Sequence, residues 1–436
     1  MSKAVHKLKL EMPVVRTELR CGATLLVSPR PGAPIAAAQV HLRGGNALDP
    51  AGKEGVAHLA GALSTEGTQS HDESQLAALL EPLGGAIRGN STGVSGTMVA
   101  GEWRTLLDLI AELVTESTYP KERFERERAR LVERLTVAEQ DPKTRGARAF
   151  RKLIYADHWM GRGQSGTLES VPLIQRRDLL SHVKRNWVAS RAVIAVCGDL
   201  DPAAVHRFLD RRLAAWPTGK VHKLQPPPTG RAPGNRVAAY RVQRQQMHLY
   251  LGHLGIRRSD PDYVPLMVMD HVLGTGPGFT DRISRRLRDE EGLAYTVHAS
   301  IHTSAGTHPG TFLAYIGTGP EKAAQALRGF LEEIRRIRVE PVAPEELELA
   351  KSYLTGSVLL GHERAARRVG AMVYAQRLGL PFDHLSTLPS KIAAVSMEDV
   401  QRVAALHLEP EDLVLSGAGP IGKPTLGKIF REAVKG

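Results

Sequence analysis

The sequence repeats one structural unit twice, and this duplication constrains the fold more than any other feature. An alternating apolar segment followed by the pair Asp49-Pro50 recurs 211 residues later, where it is followed by Asp260-Pro261. Each unit also closes with an apolar strand-like segment and a glycine, and these glycines, Gly198 and Gly417, lie 219 residues apart. Two similar offsets at opposite ends of the unit indicate internal duplication.

A stretch rich in proline and glycine, residues 217–234, separates the two units and predicts an interdomain linker. We place the boundary near residue 225, so that the predicted domains are residues 1–224 and 225–436. In each unit, segments of period-two alternation are mixed with long segments of helical period, and neighbouring strands at 86–91 and 94–100 predict a hairpin. The prediction is an α+β fold of two homologous halves, each a mainly antiparallel sheet packed with helices.

The formal net charge of +12 raises the question of nucleic-acid binding. The basic residues alternate with glutamates on predicted helices, for example over 125–134 and 332–338, which is typical of solvated faces laced with ion pairs. Aromatic residues make up only 5% of the chain, which leaves few stacking platforms for bases. We therefore expect no nucleic-acid partner. An acidic partner or an acidic peptide substrate matches the excess charge better.

Localisation signals are absent from the sequence pattern. No segment approaches the ~18 apolar residues of a membrane-spanning helix, and residues 1–10 lack the apolar core of a secretory signal. Cys21 and Cys197 are the two cysteines, so no disulfide framework is indicated. We expect a cytoplasmic protein with no membrane partner.

A histidine in the first unit lies in what resembles a damaged metal motif. His58 opens a predicted helix and is followed by Gly61 and Ala62, and then by a glycine-threonine turn. This segment resembles the H-x-x-E-H zinc box of the pitrilysin, insulinase and mitochondrial processing peptidase family. Relative to that box, Gly61 replaces the catalytic glutamate and Ala62 replaces the second histidine. The charged helix over 124–135 resembles the segment that carries the family's third ligand, a glutamate, and Arg134 stands at that position.

We refer to His58, Gly61, Ala62 and Arg134 as the degenerate zinc box. Two histidines four residues apart lie on one helix face and can reach one ion, and a catalytic zinc needs three protein ligands and a water. The glutamate of the family's box takes the proton from that water. This chain keeps one histidine and has a cation in place of the third ligand. We therefore expect no metal on this chain and a structural or vestigial role for His58.

A second segment, residues 278–297, resembles the other signature of the same family, in which a helix ends at a glycine and a strand begins with Leu-Ala-Tyr. The resemblance implies that Arg288 and Tyr295 bind the substrate opposite the zinc. Both side chains can donate hydrogen bonds to a peptide carbonyl and, more strongly, to the oxyanion of the tetrahedral state. Without the resemblance, the residues favour a structural interpretation, in which Arg288 caps a helix C-terminus and Tyr295 belongs to the core.

The residues around this pair carry local predictions of their own. Gly292 suits the left-handed position just past a helix end, and Leu293, Tyr295 and Val297 are predicted to share one face of a strand. Upstream, a glycine-rich loop lacks the spacing of a phosphate-binding motif and is interpreted as a flexible loop at the mouth of a chamber; its glycines are Gly274, Gly276 and Gly278.

The remaining histidines are interpreted as packing or surface residues because they lack cysteine or carboxylate partners at ligand spacing. His298 and His302 are predicted to lie on one strand and to share a face. The other members of this group are His248, His253 and His271.

The family resemblance spans nearly the whole chain and implies two halves that face each other as a clamshell. The main hypothesis is a non-catalytic, substrate-binding subunit of a heterodimeric zinc metallopeptidase, inactive alone, which closes a peptide-cleaving chamber with a homologous partner. That partner would carry H-x-x-E-H and the zinc, and this chain would bind no cofactor. Two alternatives stay open: a purely structural subunit like the core proteins of respiratory complexes, and a solitary peptide-binding homodimer.

Overall fold

The computed structural model describes residues 12–221, 223–227 and 236–435. Residues 1–10, on which the expectation about a secretory signal rests, lie outside this part, as do residues 222 and 228–234 of the predicted linker. The first half forms a six-stranded sheet in the order β1-β2-β6-β3-β5-β4. Its strands are β1 (Val15–Glu18), β2 (Thr24–Pro29), β3 (Ile35–Leu42), β4 (Ala86–Asn90), β5 (Gly93–Val99) and β6 (Ala192–Gly198).

The second half forms a five-stranded sheet that repeats the topology of the first. Its order is β7-β11-β8-β10-β9, which matches β2-β6-β3-β5-β4 strand for strand. In both sheets the equivalent pair, β2–β6 or β7–β11, is parallel and the other pairs are antiparallel. The predicted duplication and the α+β class are confirmed. The strands are β7 (Val237–Arg241), β8 (Met247–Leu254), β9 (Ala294–Ser300), β10 (Thr311–Thr318) and β11 (Val414–Gly419).

Helices follow the strands in an equivalent order in both halves. Those of the first half are α1 (Val56–Leu63), α2 (Glu73–Leu80), α3 (Trp103–Thr115), α4 (Lys121–Gln140), α5 (Pro142–Tyr155), α6 (Arg176–Asn186) and α7 (Pro202–Arg212). Those of the second are α8 (Tyr263–Leu273), a π-helix (Ser284–Glu290), α9 (Ala323–Val339), α10 (Pro344–Gly361), α11 (Ala365–Leu378), α12 (His384–Ala393), α13 (Met397–His407) and α14 (Lys423–Lys435).

Several helix starts follow directly from the sequence. Pro142 and Pro202 occupy the first turns of α5 and α7, where the missing N–H has no intrahelical partner to lose. The preceding aspartates cap these helices: Asp141 accepts from the Thr144 N–H at 3.0 Å, and Asp201 accepts from the Ala204 N–H at 3.0 Å.

One face of each sheet packs on helices of its own half. In β3, Ala36, Ala38 and Val40 point into the core shared with α3, while Ala37 points to the opposite face. The second half is built in the same way, with Leu249 and Leu251 of β8 in the core shared with α8 and α9. Burying alternate residues on one face fixes the register of each strand.

The other face of each sheet receives a helix from the opposite half. Helix α11 covers β3 and β6 of the first sheet, and α5 covers β8 and β11 of the second sheet. At Gly146 of α5 a Cβ would lie 2.6 Å from the ring of Tyr250, so this helix approaches the sheet as closely as glycine permits. The two halves therefore exchange equivalent helices across the predicted boundary.

Across the described residues, no helix is both long enough and apolar enough to cross a membrane.

Candidate functional site

Helix α1 carries three residues of the degenerate zinc box, and α4 carries the fourth, Arg134. His58 is half-buried, and its Nδ1 lies 3.3 Å from the hydroxyl oxygen of Ser165. Burial, and after it the positive charge of Arg134, lowers the pKa of His58 below its ordinary value. Arg134 forms an ion pair with Glu127 at 2.8 Å between Nη2 and Oε1. The structure thus brings His58 and Arg134 into one neighbourhood, where the family resemblance implied it.

Gly61 is held against the edge strand β4 by a direct backbone contact. A Cβ on Gly61 would lie 2.7 Å from the Cα of Asn90 and closer still to the Asn90 carbonyl, whereas ordinary contacts begin near 3.4 Å. A Cβ on Gly89 would meet the carbonyl oxygen of Gly61 in the same way. No side chain fits at position 61 while α1 and β4 keep this arrangement, so a glutamate there is excluded by space as well as absent from the sequence.

The start of α1 is fixed by the partly buried carboxyl of Asp49. Asp49 accepts hydrogen bonds from the N–H groups of Gly55 at 2.7 Å and Ala57 at 2.9 Å. Burial raises the pKa of Asp49 to about 7, although these two hydrogen bonds oppose the shift. The aspartate of the first Asp-Pro pair thus holds the N-terminus of the helix that carries His58.

The residues of the degenerate zinc box do not fit a catalytic zinc. The site offers one imidazole, a methyl group at Ala62 and a guanidinium, where three protein ligands are needed. Elsewhere in the described chain, one group of three metal-type side chains lies close enough to share an ion, and it consists of Asp260, Asp262 and His407. There Asp262 already pairs with His407 at 2.8 Å and with Arg402 at 2.9 Å.

The second predicted pair is brought together at the edge of the second sheet. The guanidinium carbon of Arg288 lies 5.5 Å from the centre of the Tyr295 ring, and Tyr295 is 82% exposed on the edge strand β9. Among the described residues, the Arg288 guanidinium forms one long ion pair, with Asp289 at 3.8 Å. Neither the guanidinium nor the Tyr295 hydroxyl is hydrogen-bonded to another residue in the described ranges. Both groups are therefore free to donate to a ligand.

A β-bulge, which the sequence pattern did not predict, places Tyr295 outward. Ile316 of β10 pairs with Val297, but Thr318 pairs with Ala294, so β9 carries one extra residue between these positions. The prediction that Leu293, Tyr295 and Val297 share one face is wrong, because Leu293 and Val297 are buried while Tyr295 faces solvent. The extra residue interrupts the period-two alternation.

The helix before Gly292 is a π-helix rather than the α-helix expected from the pattern. Arg286 ties it to neighbouring elements through Glu291 at 2.8 Å, Glu333 at 3.0 Å and Glu332. Gly292 adopts a φ of +58°, which confirms the predicted left-handed position.

The glycine-rich loop runs alongside β9. The Gly274 carbonyl accepts from the Ala299 N–H at 3.1 Å and covers the strand edge there. A Cβ on Gly276 would lie 2.8 Å from the Asp281 nitrogen, while Gly278 has a φ of +62° and open space around it. Close packing therefore explains the glycines at positions 274 and 276, and the left-handed backbone conformation explains the glycine at position 278. The flexibility of the loop stays a prediction.

The other histidines make packing contacts. His248 and His298 flank the Tyr315 ring, and His253 lies beside Phe312. His302 was wrongly placed on a strand, because β9 ends at Ser300 and the imidazole bonds instead to buried Asp270 at 2.5 Å. His271 accepts from or donates to the Thr275 hydroxyl at 3.2 Å.

Two family models match the chain. The model described as Insulinase (Peptidase family M16) matches residues 25–167, and the model described as Peptidase M16 inactive domain matches residues 174–354. The chain belongs to peptidase family M16.

Curated relatives extend the match over most of the chain. An uncharacterized zinc protease of Mycobacterium leprae is 25% identical over 372 residues, which cover 83% of this M16 chain and 82% of the relative. The mitochondrial-processing peptidase subunit beta of Blastocladiella emersonii is 25% identical over 430 residues, 93% of this chain and 88% of that subunit.

Solved structures share the fold. A peptidase M16 inactive domain from Pseudomonas fluorescens superposes with a TM-score of 0.86 at 24% identity, covering 94% of this chain and 98% of that one. A chain of complex III2 from Candida albicans has a TM-score of 0.77 at 15% identity, covering 96% and 100%. The predicted family and the layout of two M16-like halves are confirmed.

One residue of the second site was missed in the sequence. The centre of the Phe279 ring lies 3.5 Å from the guanidinium carbon of Arg288, closer than the centre of the Tyr295 ring at 5.5 Å. Phe279 is 43% exposed and has a φ of +65°, which is unfavourable for a bulky side chain. The sequence contains one indication of this. An aromatic residue directly follows Pro277-Gly278, a dipeptide that is typical of turns, where unusual backbone conformations are found.

Proposed function

We propose that this chain is the non-catalytic, substrate-binding subunit of a heterodimeric zinc metallopeptidase that cleaves peptides in a closed chamber. The observation that carries the proposal is the Arg288–Tyr295 pair at the sheet edge, where Tyr295 is exposed and Arg288 is partly buried. The side-chain donors of both residues make no hydrogen bond within the described residues. The degenerate zinc box also supports a non-catalytic role, because its residues cannot hold the metal. We expect the zinc on a homologous partner subunit with an intact H-x-x-E-H box.

An extended peptide would add to the free edge of the second sheet. Strand β9 pairs only with β10 among the described strands, and the Gly274 carbonyl already occupies the edge at Ala299. A peptide strand would therefore align along the stretch that includes the bulge at Tyr295. Backbone hydrogen bonds supply affinity in this mode of recognition, and side-chain pockets supply specificity.

At that position Arg288 and Tyr295 can act on the carbonyl of the bond to be cleaved. Both donors bind the carbonyl oxygen in the ground state and bind it more strongly as negative charge develops on it. A single well-placed donor of this kind contributes on the order of 3–4 kcal/mol to the stability of the transition state. The ring of Phe279 lies close to the guanidinium and restricts its orientation.

A structural subunit is the second candidate, supported by the fold that this chain shares with the Candida albicans complex III2 chain. That likeness concerns the fold alone. A scaffold makes no use of an arginine–tyrosine pair with free donors at a sheet edge, which is why we favour substrate binding. A solitary homodimer that binds peptides without cleaving them is the third candidate.

The test is reconstitution with the zinc-bearing partner co-purified from the native source. We expect peptide cleavage by the complex and none by this chain alone. In the complex, Arg288→Ala should lower kcat by about a hundredfold, which corresponds to roughly 3 kcal/mol, and Tyr295→Phe should lower it through loss of one hydroxyl. Arg285→Ala is the matched control, because Arg285 is exposed on the same π-helix.

Full activity of the Arg288→Ala and Tyr295→Phe complexes would contradict the assigned roles. A stable complex that cleaves no peptide would favour the scaffold, and peptide binding by a homodimer with no zinc-bearing partner would favour the third candidate.

A further inference from the structure

The first half carries a row of polar side chains on the sheet face that also receives α11. In β3, β5 and β4 the strand register aligns Gln39 with Ser95 and Ser95 with Arg88. Neighbouring residues on these strands, such as Val40 and Val94, are buried on the opposite face against the helices of the first half. Side chains of a strand alternate between faces, so the three polar residues share the face opposite the core.

This row borders an open cleft of about 330 Å³. Small side chains leave the space: Ala37 and Thr97 form part of the floor, and Ala366 and Val369 of α11 form a wall. Arg88 is the charged residue in the lining, and no carboxylate lines the cleft. The cleft therefore has room for a side chain and an uncompensated positive charge at its border.

Arg88 has no hydrogen bond or ion pair with any residue of the described ranges. Many other arginines of the chain are neutralised; Arg286, for example, contacts three glutamates. The exposed guanidinium of Arg88 lies in one row with the Ser95 hydroxyl on the neighbouring strand and the Gln39 amide on the strand beyond it, so the row offers several donors. A carboxylate matches these donors best, because it can accept two parallel hydrogen bonds from a guanidinium.

Strand β4 lies at the edge of the first sheet and pairs with β5 alone among the described strands. An extended peptide that adds along this edge would place every second side chain on the face that carries Arg88. The net charge of +12 would draw acidic peptides toward the chain before they bind.

We propose that Arg88, with Gln39 and Ser95, forms a subsite for an aspartate or glutamate side chain of an extended peptide aligned on β4. The inference rests on the proposed function and names the substrate class: peptides with an acidic residue that contacts the non-catalytic subunit. It does not involve the Arg288–Tyr295 pair, which acts on the backbone and carries no preference for a side-chain charge.

The test is a charge swap. Three fluorescent peptides that differ at one position, glutamate, glutamine or lysine, are titrated against the complex with its zinc-bearing partner under chelation, so that binding is measured without cleavage. We expect the glutamate peptide to bind about tenfold more tightly than the glutamine peptide at low salt. The Arg88→Glu complex should prefer the lysine peptide. Arg207→Glu is the control, because it makes the same charge change at an exposed residue on α7.

Equal binding of the glutamate and glutamine peptides at every tested position would overturn the subsite while leaving the proposed function intact. An equal shift in preference for Arg88→Glu and Arg207→Glu would also overturn it, because the effect would then come from net charge. If no peptide of any charge bound to the complex, the proposed function would fail and this inference with it.

Discussion

The contact between Gly61 and β4 gives a sharp prediction for the substitution Gly61→Ala. The added Cβ would lie 2.7 Å from the Asn90 Cα and nearer still to the Asn90 carbonyl, so α1 and β4 would have to separate. The obstructing atoms belong to the backbone and cannot rotate away, which places the cost at the upper end of the usual overpacking range, about 3 kcal/mol. Alanine returns about 1 kcal/mol through its better helix propensity. The net loss in the free energy of unfolding should be about 2 kcal/mol.

Urea unfolding followed by circular dichroism measures this loss as a lower midpoint with an unchanged slope. Gly356→Ala is the matched control, because Gly356 lies inside α10 and a Cβ there would meet nothing within 4 Å. That variant should be more stable than the parent by up to about 1 kcal/mol. If Gly61→Ala matched Gly356→Ala in stability, the reasoning about the close approach would be refuted, and position 61 would be open to a catalytic side chain.

Three further predictions follow from the site. The zinc box can be rebuilt with the substitutions Gly61→Glu, Ala62→His and Arg134→Glu. This variant should bind no stoichiometric zinc in equilibrium dialysis, because the backbone of β4 leaves no space for a side chain at position 61. In the reconstituted complex, Phe279→Ala should lower kcat about tenfold with little change in KM, and Phe279→Tyr should restore it; equal kcat for all three would show that the ring does not orient Arg288. Burial raises the pKa of Asp49 to about 7, so the folded state favours the protonated carboxyl. This preference contributes on the order of 4 kcal/mol to the free energy of unfolding. The contribution is fully present below pH ~4 and is lost as the pH rises through about 7. Urea unfolding should therefore show that the free energy of unfolding falls more between pH 5 and pH 8 for the parent and for the Asp260→Asn control than for Asp49→Asn. An equal fall in all three proteins would contradict the assignment of this pH dependence to Asp49.

The fold could be predicted from the sequence where local patterns determine it. The offsets of the Asp-Pro pairs and of Gly198 and Gly417 reflect real equivalence, since they flank the same elements in two sheets of the same order. The hairpin of β4 and β5 followed from alternation and a short turn. The exchange of α5 and α11 between the halves could not be predicted, because an amphipathic helix shows which face it buries and not which sheet covers that face.

The residues of the candidate site stay a prediction, and the local backbone around them was not predicted. Family resemblance identified Arg288, Tyr295 and Arg134, whose neighbourhoods the structure then supplied. The π-helix and the bulge in β9 each add one residue to a regular ladder, and a pattern of period 3.6 or 2 gives no sign of such an insertion. Similarly, the sequence shows only that Gly61 stands where the family has a glutamate. The close contact of Gly61 with Asn90 joins residues far apart in the sequence, so no local pattern predicts it. That Arg88 has no ion-pair partner among the described residues also depends on tertiary structure.

Zinc content is the most direct test of the claim that the metal belongs to a companion subunit. Mass spectrometry of metals should be performed on the purified chain and on its complex from the native source, with peptide hydrolysis assayed on the same samples. We predict no bound zinc and no hydrolysis for the isolated chain, and one zinc per pair with hydrolysis for the complex. One tightly bound zinc on the isolated chain, together with peptide hydrolysis, would contradict the account.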